Sequence, residues 1–160
     1  MATPMQMKHA RQAIAAVANG LDRVDWEYRV VDDGLTMETG VKGDGKLGDV
    51  MILIKARPES AALSFYFDLP FKVPDSKRVD MAVAICVANY GIINGAFDFD
   101  IESGTVWFRM CQSYCDGYPS RETAKYMIKT GFAMMEYYEP SFQKICRGTI
   151  SIEQFMDQER

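Results

Sequence analysis

The amino-acid sequence predicts an α+β fold in which an antiparallel sheet packs against helices. Three observations predict it. Apolar residues recur at helical three-four spacing over the first 21 residues, apolar and polar residues alternate between 26 and 69, and short turn signals join the alternating runs. Because connections of only a few residues are too short for parallel crossovers, these strands are expected to form an antiparallel meander.

The composition is that of one globular domain, which we place over residues 1–160. Apolar residues make up 48% and charged residues 25% of the 160, and we find no repeat, low-complexity tract or linker. A chain of this length buries roughly 68–70% of its unfolded surface, so it needs no disulfide or metal to hold a core.

Charge and hydropathy exclude several classes of partner. The net charge of −4 argues against a nucleic-acid surface, which would need clustered Lys and Arg. No run approaches the roughly 18 apolar residues of a membrane span, and the six apolar residues at 13–18 are weak for a signal peptide. We therefore expect a cytoplasmic protein with no nucleic-acid or membrane partner.

The first half of the chain reads as one helix and four strands. Thr3 to Gln6 form a capping box with Pro4 at the first helical position, and Gly20 can close the helix. The predicted strands then follow in order at 26–30, 35–39, 49–56 and 61–69.

The second half predicts further helices around a hairpin. The helix after the meander is expected to be capped by Asp75 or Ser76 and to end at Gly91. Its predicted apolar stripe comprises Val79, Val83, Cys86, Val87 and Tyr90.

A long helix should follow at 121–138, with Ser120 as N-cap, an interruption at Pro140 and a short helix at 141–147 before Gly148. A capping box from Ser151 to Gln154 predicts a final short helix. The residues expected to be buried in part in the long helix are Met127, Ile128, Met134, Met135 and Tyr138.

The hairpin "FDFDIESGTVWFRM" at 97–110 raises the question of whether its acids are catalytic. A two-residue Ser103-Gly104 turn would set the register. The expected cross-strand pairs are Glu102 with Thr105, Asp100 with Trp107, and Asp98 with Arg109. The opposite face would then bury six apolar residues, Phe97, Phe99, Ile101, Val106, Phe108 and Met110.

We interpret Asp98, Asp100 and Glu102 as the hydrated face of this hairpin, and we predict no catalytic residue. Strand residues two apart stand roughly 6.6–6.8 Å from each other along the strand, a spacing that leaves a glycosidase-like carboxylate pair as the alternative. Trp107 on the same face has two open interpretations. Either a partner subunit or ligand covers it, or the ring lies over its neighbours' stems.

Other motifs point to no cofactor and no metal. The segment "GDGKLG" at 43–48 matches a dinucleotide-binding pattern, but an apolar strand follows it where the motif requires a helix. Cys111 and Cys115 lack a second pair of metal ligands, and His9 is the single histidine. The four cysteines are expected to be reduced and mostly buried.

Methionines are frequent in the second half. Met81, Met110, Met127, Met134 and Met135 fit either a protein core or an adaptable binding surface.

The order of elements in the second half resembles the YbjN-like domain of bacteria. The segments that carry the resemblance are "VANYGIINGAFDFD", the hairpin, "MMEYYEPSFQKICRG" and "SIEQFMDQ". The similarity covers residues 70–160 well and the whole chain by element order. The chain departs from the pattern at Glu139, inserted between the tyrosines and Pro140, and lacks a strongly acidic terminal tail.

The resemblance implies a fold like that of type III secretion chaperones, an antiparallel sheet flanked by helices and often dimeric. Members are described as regulators of bacterial sensory transduction, and no catalytic residues carry over. We therefore expect a non-enzymatic, chaperone-like or regulatory protein-binding domain, a homodimer whose partner surface includes Trp107, Met134 and Tyr138. The alternatives are a small-ligand sensor with a pocket between helix and sheet, and a carboxylate-dependent hydrolase.

Overall fold

The computed structural model describes residues 1–42 and 49–159. The regular elements of these residues, in chain order, are α1 Pro4–Asp22, β1 Tyr28–Val31, β2 Thr36–Val41, β3 Val50–Arg57, β4 Ala62–Lys72, α2 Arg78–Gly91, β5 Ala96–Asp100, β6 Thr105–Ser113, α3 Arg121–Arg147 and α4 Ile152–Gln158.

The strands form one antiparallel sheet in the order β1-β2-β3-β4-β6-β5. The first four strands are the predicted meander, and the β5–β6 hairpin joins it through β6. The predicted fold class, an antiparallel sheet packed against helices, is confirmed.

The helices pack on one face of this sheet. Register places the inward side chains in rows across the strands, such as Ile54 opposite Phe65 and Phe65 opposite Met110. Helix α1 packs on β3, α3 on β4 and β6, and α2 on β5, while α4 packs on α2. The alternate residues of the strands form a second face, which no helix of the described chain covers. We call it the open sheet face.

Helix α1 begins as predicted and ends later. The Thr3 hydroxyl accepts a hydrogen bond from the Gln6 amide at 3.2 Å, and the Gln6 side chain accepts one from the Thr3 amide at 2.8 Å. The helix continues past Gly20 to Asp22 because Gly20 lies against the backbone of Arg121 in α3, where it permits close helix packing.

The predicted start and apolar stripe of α2 are wrong. Residues Asp75–Lys77 form a 3₁₀ turn, and α2 begins at Arg78 without a side-chain cap. Val79 is 72% exposed and Tyr90 is 96% exposed; Val83 and Cys86 are also exposed, and Val87 is half-buried. The buried residues are Met81, Ala84, Ile85 and Ala88.

The reason is that residues 81–88 are all apolar. Helical periodicity therefore cannot predict which face of α2 is buried. The small Ala84 and Ala88, one turn apart, let the helix lie close to its neighbours.

Pro140 does not divide α3, which runs unbroken to Arg147. A proline removes one backbone donor from a helix, but buried rings hold the two halves together. The Tyr138 and Phe142 rings stack with centroids 5.7 Å apart, and Phe142 is also 5.1 Å from Phe97 of the sheet. The helix ends where predicted, at Gly148 with φ +69°.

The middle of α3 rests directly on the sheet at Gly131. A Cβ added at this position would lie 2.2 Å from the Phe67 ring, far inside van der Waals contact. The ring of Phe67 is fully buried in β4. Only glycine therefore allows the helix to approach the central strand this closely.

We predict that Gly131→Ala lowers the free energy of unfolding by about 1–3 kcal/mol, because overpacking at Phe67 outweighs the better helix propensity of alanine. Urea denaturation followed by circular dichroism measures this. Gly91→Ala is the matched control, since nothing lies within 4 Å of a Cβ there and its effect should stay within about 1 kcal/mol of zero. Equal stability of Gly131→Ala and the native chain would contradict the prediction.

Glu139 is a carboxylate buried inside α3. Its side chain is 4% exposed and accepts a hydrogen bond from the Gln143 amide. Burial raises the pKa of Glu139, against smaller lowering effects of Gln143 and Arg147. Because the folded state holds the proton more tightly, the contribution of Glu139 to stability is present below its unfolded pKa of about 4.3 and is lost as the pH rises through the folded pKa.

We therefore expect Glu139→Gln to unfold at a higher temperature than the native chain at pH 7.5, with the difference vanishing below about pH 4. Thermal unfolding at both pH values checks this. Glu136→Gln, on the exposed side of the same helix, should leave the transition unchanged at either pH. A Glu139→Gln protein less stable than the native chain at pH 7.5 would refute the assignment.

Candidate protein-binding surfaces

The hairpin has the predicted faces but not the predicted register. Asp100 pairs with Thr105, Asp98 with Trp107, and Ala96 with Arg109, so the loop is the four residues 101–104 and not the expected two. A shift of two residues leaves every side chain of the paired strands on its predicted face.

Asp100 explains the longer turn. Its carboxylate accepts hydrogen bonds from the Glu102 amide at 3.0 Å and from the Ser103 hydroxyl at 2.6 Å, a side-chain-stabilised turn. Gly104, at φ +74°, accepts a hydrogen bond from the Val73 amide at 2.8 Å. A Cβ there would lie 2.5 Å from the Val73 carbonyl oxygen, so the turn is fixed against the end of β4.

Five of the six apolar residues predicted to be buried lie against the core. Phe97, Val106, Phe108 and Met110 are buried, and Phe99 is half-buried. Ile101 is the exception, at 51% exposed, because the longer turn takes it out of the strand.

The three acids have three separate environments. Asp98 accepts hydrogen bonds from Trp107 Nε1 at 3.1 Å and from Arg109 Nε at 2.5 Å. The Ser103 hydroxyl and the two turn amides hold the pKa of Asp100 below its usual value, which is unsuited to a general acid. Glu102 is exposed in the turn. Asp98 and Asp100 are thus engaged by different groups, and Glu102 lies in the exposed turn, so the three carboxylates do not act on one another as a catalytic pair would.

Trp107 lies half-buried on the open sheet face, hydrogen-bonded to Asp98 beside Arg109. This hydrogen bond fixes the indole ring beside Asp98, and it is compatible with either interpretation of Trp107. Tyr66 stands opposite Arg109, and Leu53 stands opposite Tyr66. Apolar and polar side chains therefore alternate across the middle strands of this uncovered face.

Met134 and Tyr138 lie on the other side of the sheet from Trp107. Both belong to α3, where Tyr138 is buried and Met134 is half-buried. The three residues predicted to bind a partner therefore belong to two different surfaces. Alternation along β6 directs Trp107 away from the helices, whereas Phe108 contacts the core that Tyr138 joins.

Met134 and Tyr138 line an apolar groove between α2, α3 and α4. It consists of two hollows of about 590 and 490 Å³ that share Gly91, Tyr138 and Glu159. We call it the aromatic groove and define it by Tyr90, Ile93, Tyr126, Met134, Tyr137, Tyr138 and Met156.

Large apolar side chains of the groove are strongly exposed. Ile93 is 102% exposed and Tyr137 is 62% exposed, beside the exposed Tyr90 of α2. The connection that carries Ile93 is fixed, because the Asn89 side chain accepts from the Phe97 amide at 2.7 Å and donates to the Phe97 carbonyl at 2.9 Å. These two hydrogen bonds thus anchor both ends of the segment that presents Ile93.

Sequence reasoning found Met134 and Tyr138 but missed Tyr90 and Ile93. It assigned Tyr90 to the core. The available signal was the surplus of apolar residues around α2 and its following turn, "VANYGIING", which exceeds what one buried stripe can use.

Two hydrogen bonds join polar groups that line the groove. The Tyr138 hydroxyl donates to Glu159 at 3.2 Å, and Asn94 donates to the Tyr126 hydroxyl at 3.3 Å. Burial, reinforced by the Glu159 carboxylate, raises the pKa of Tyr138 to about 12. Tyr138 is therefore a neutral hydrogen-bond donor at neutral pH.

The remaining sequence candidates do not form a site. His9 is exposed beside Tyr118. The cysteines are free, but the expectation that they are mostly buried is wrong, since Cys86, Cys111 and Cys115 are exposed. Cys111 faces outward because it continues the open sheet face.

Within residues 1–42 and 49–159 no cluster of metal-ligating side chains occurs. In the same residues, no helix has the length and apolar character to cross a bilayer. The "GDGKLG" segment at 43–48 lies outside the described residues.

Two solved structures share this fold. YbjN, a proposed transcription regulator from E. coli, superposes with a TM-score of 0.56 at 11% identity, over 85% of this chain and 90% of that one. The ExsC–ExsE complex gives a TM-score of 0.57 at 13% identity, over 81% and 92%. No family model and no curated protein matches the chain. The expected YbjN-like fold is confirmed, and identities this low show the fold alone.

Proposed function

We propose that this chain, which shares its fold with YbjN and the ExsC–ExsE complex, is a non-enzymatic protein-binding domain of a chaperone-like or regulatory kind. It acts in the bacterial cytoplasm, as expected of a regulator of sensory transduction, and functions as a homodimer. The solved ExsC–ExsE complex supports a role in binding a protein partner.

The aromatic groove is the observation that carries this proposal. Soluble monomers rarely expose contiguous apolar surface unless it binds something, and tyrosine and methionine are enriched in the cores of protein interfaces. The groove joins such side chains from three helices, among them the half-buried Met134, with the fully exposed Ile93 of the turn that follows α2.

The shape and chemistry of the groove define the partner segment. Two adjoining, mostly uncharged hollows suit a segment that inserts two or more large apolar side chains in sequence. Tyrosine adds hydrogen bonding at little entropic cost, and methionine adapts to the shape of the inserted group.

We predict that the double variant Ile93→Ser, Tyr137→Ser loses specific protein partners captured from a lysate of the source bacterium. Removing two central apolar contacts should weaken binding on the order of 30-fold or more, as for interface hot spots. Quantitative mass spectrometry of the captured proteins measures the loss.

Ile101→Ser is the matched control for this capture. Ile101 is exposed like Ile93 but lies beyond the opposite end of β5, in the hairpin turn. Its captured proteins should equal those of the native chain. An unchanged set with the groove variant, or the same loss with Ile101→Ser, would refute the role of the groove.

We place the homodimer contact at the open sheet face. This face spans six strands, no described helix covers it, and it presents Leu53, Tyr66 and Trp107 together with the exposed Met51. A second copy would bury these groups, which accounts for apolar side chains on an otherwise polar surface.

We expect size-exclusion chromatography with light scattering to give about twice the 18.1 kDa chain mass. Leu53→Lys should convert the dimer to monomer, because it introduces charge into the contact. The groove variant should remain dimeric, which separates the two surfaces. A clean monomer of the native chain at high concentration would exclude the dimer.

A further inference from the structure

A third hollow lies away from both surfaces, between the end of α1 and the start of α3. It has a volume of about 210 Å³. Its walls are apolar and include Leu21, Val24, Trp26 and Ile128. The hollow opens to solvent, since Val24 at its mouth is 48% exposed.

Three basic residues lie along one side of this hollow. Arg121, Lys125 and Lys129 contribute to its lining from successive turns of α3, and all three side chains reach solvent. The described residues that line the hollow include no carboxylate. Among the described residues no ion pair involves Lys125 or Lys129, and Arg121 meets only its neighbour Glu122, at 4.0 Å.

The repulsion between these positive charges has a free-energy cost that a bound anion would offset. Like charges four residues apart on a helix repel one another, and here they lie beside apolar walls that water solvates poorly. A negative group at the mouth would be attracted by the cations, while an apolar body would fill the interior.

We propose that this hollow binds a small monocarboxylate with a compact apolar body, of the class of medium-chain fatty acids and aryl-alkanoates. The apolar part packs on Trp26 and Ile128, and the carboxylate lies between Lys125 and Lys129. The size is suitable, since a protein cavity of about 150 Å³ accommodates benzene. The site is independent of the groove and of the open sheet face.

Trp26 supplies the readout. Its indole Nε1 donates to the Thr39 hydroxyl at 2.8 Å, so the ring is fixed in the wall. In a Trp107→Phe chain it is the sole tryptophan. Titration with sodium octanoate should change its emission saturably, and 1-octanol, of the same length but uncharged, should bind at least about fivefold more weakly.

The double variant Lys125→Gln, Lys129→Gln should weaken octanoate binding by about fivefold to tenfold and leave octanol binding unchanged. Lys144→Gln, on the same helix but outside the hollow, should bind octanoate like the parent. Calorimetry on the unmodified chain gives the same comparison without the Trp107 change. Equal affinity for octanoate and octanol, no saturable octanoate binding, or no effect of the double variant would overturn the proposal.

Discussion

The contact between Gly131 and the Phe67 ring is the constraint on which the rest of the structure depends. It allows α3, the longest helix, to lie directly on the central strands while also contacting α1 and α2. A helix seated this close to the sheet presents its remaining sides to its neighbours. The third hollow, between α1 and α3, is therefore lined by α3 residues from Arg121 to Lys129, and the aromatic groove is lined by α3 residues from Tyr126 to Tyr138.

The sheet has two unlike faces. The difference between them separates the proposed protein-binding groove, on the helical side, from the proposed homodimer contact on the open sheet face. One face carries the aromatic core, in which the Phe97 ring is tilted against Phe108 at a centroid distance of 4.9 Å and meets Phe142 edge to face at 5.1 Å. The other has Trp107 fixed by Asp98 and no helical cover in the described chain. A homodimer through the open face would leave the groove free for a different protein.

Strand alternation and helix capping could be predicted from the sequence because each depends on only a few neighbouring residues. The hairpin faces follow from the period of two, and the capped starts at Thr3 and Ser151 follow from local hydrogen bonds. The hairpin register was not readable, since it depends on Asp100 stabilising a longer turn against Val73. Tertiary packing decides which side of α2 is buried and allows α3 to continue past Pro140. Local sequence patterns do not predict such packing. For the same reason the groove residues were predicted only in part. Tyr138 was found because it follows a helical period, whereas Ile93 was missed because it lies in a turn.

Site-specific photo-crosslinking in the source organism tests the central claim most directly, that the groove and not the open sheet face receives the partner. A photoreactive phenylalanine analogue would replace Tyr137 in one strain and Tyr66 in another. The account predicts a crosslink to a different protein from position 137, and only a crosslinked pair of this chain from position 66. A different protein attached at position 66, with none at 137, would contradict it.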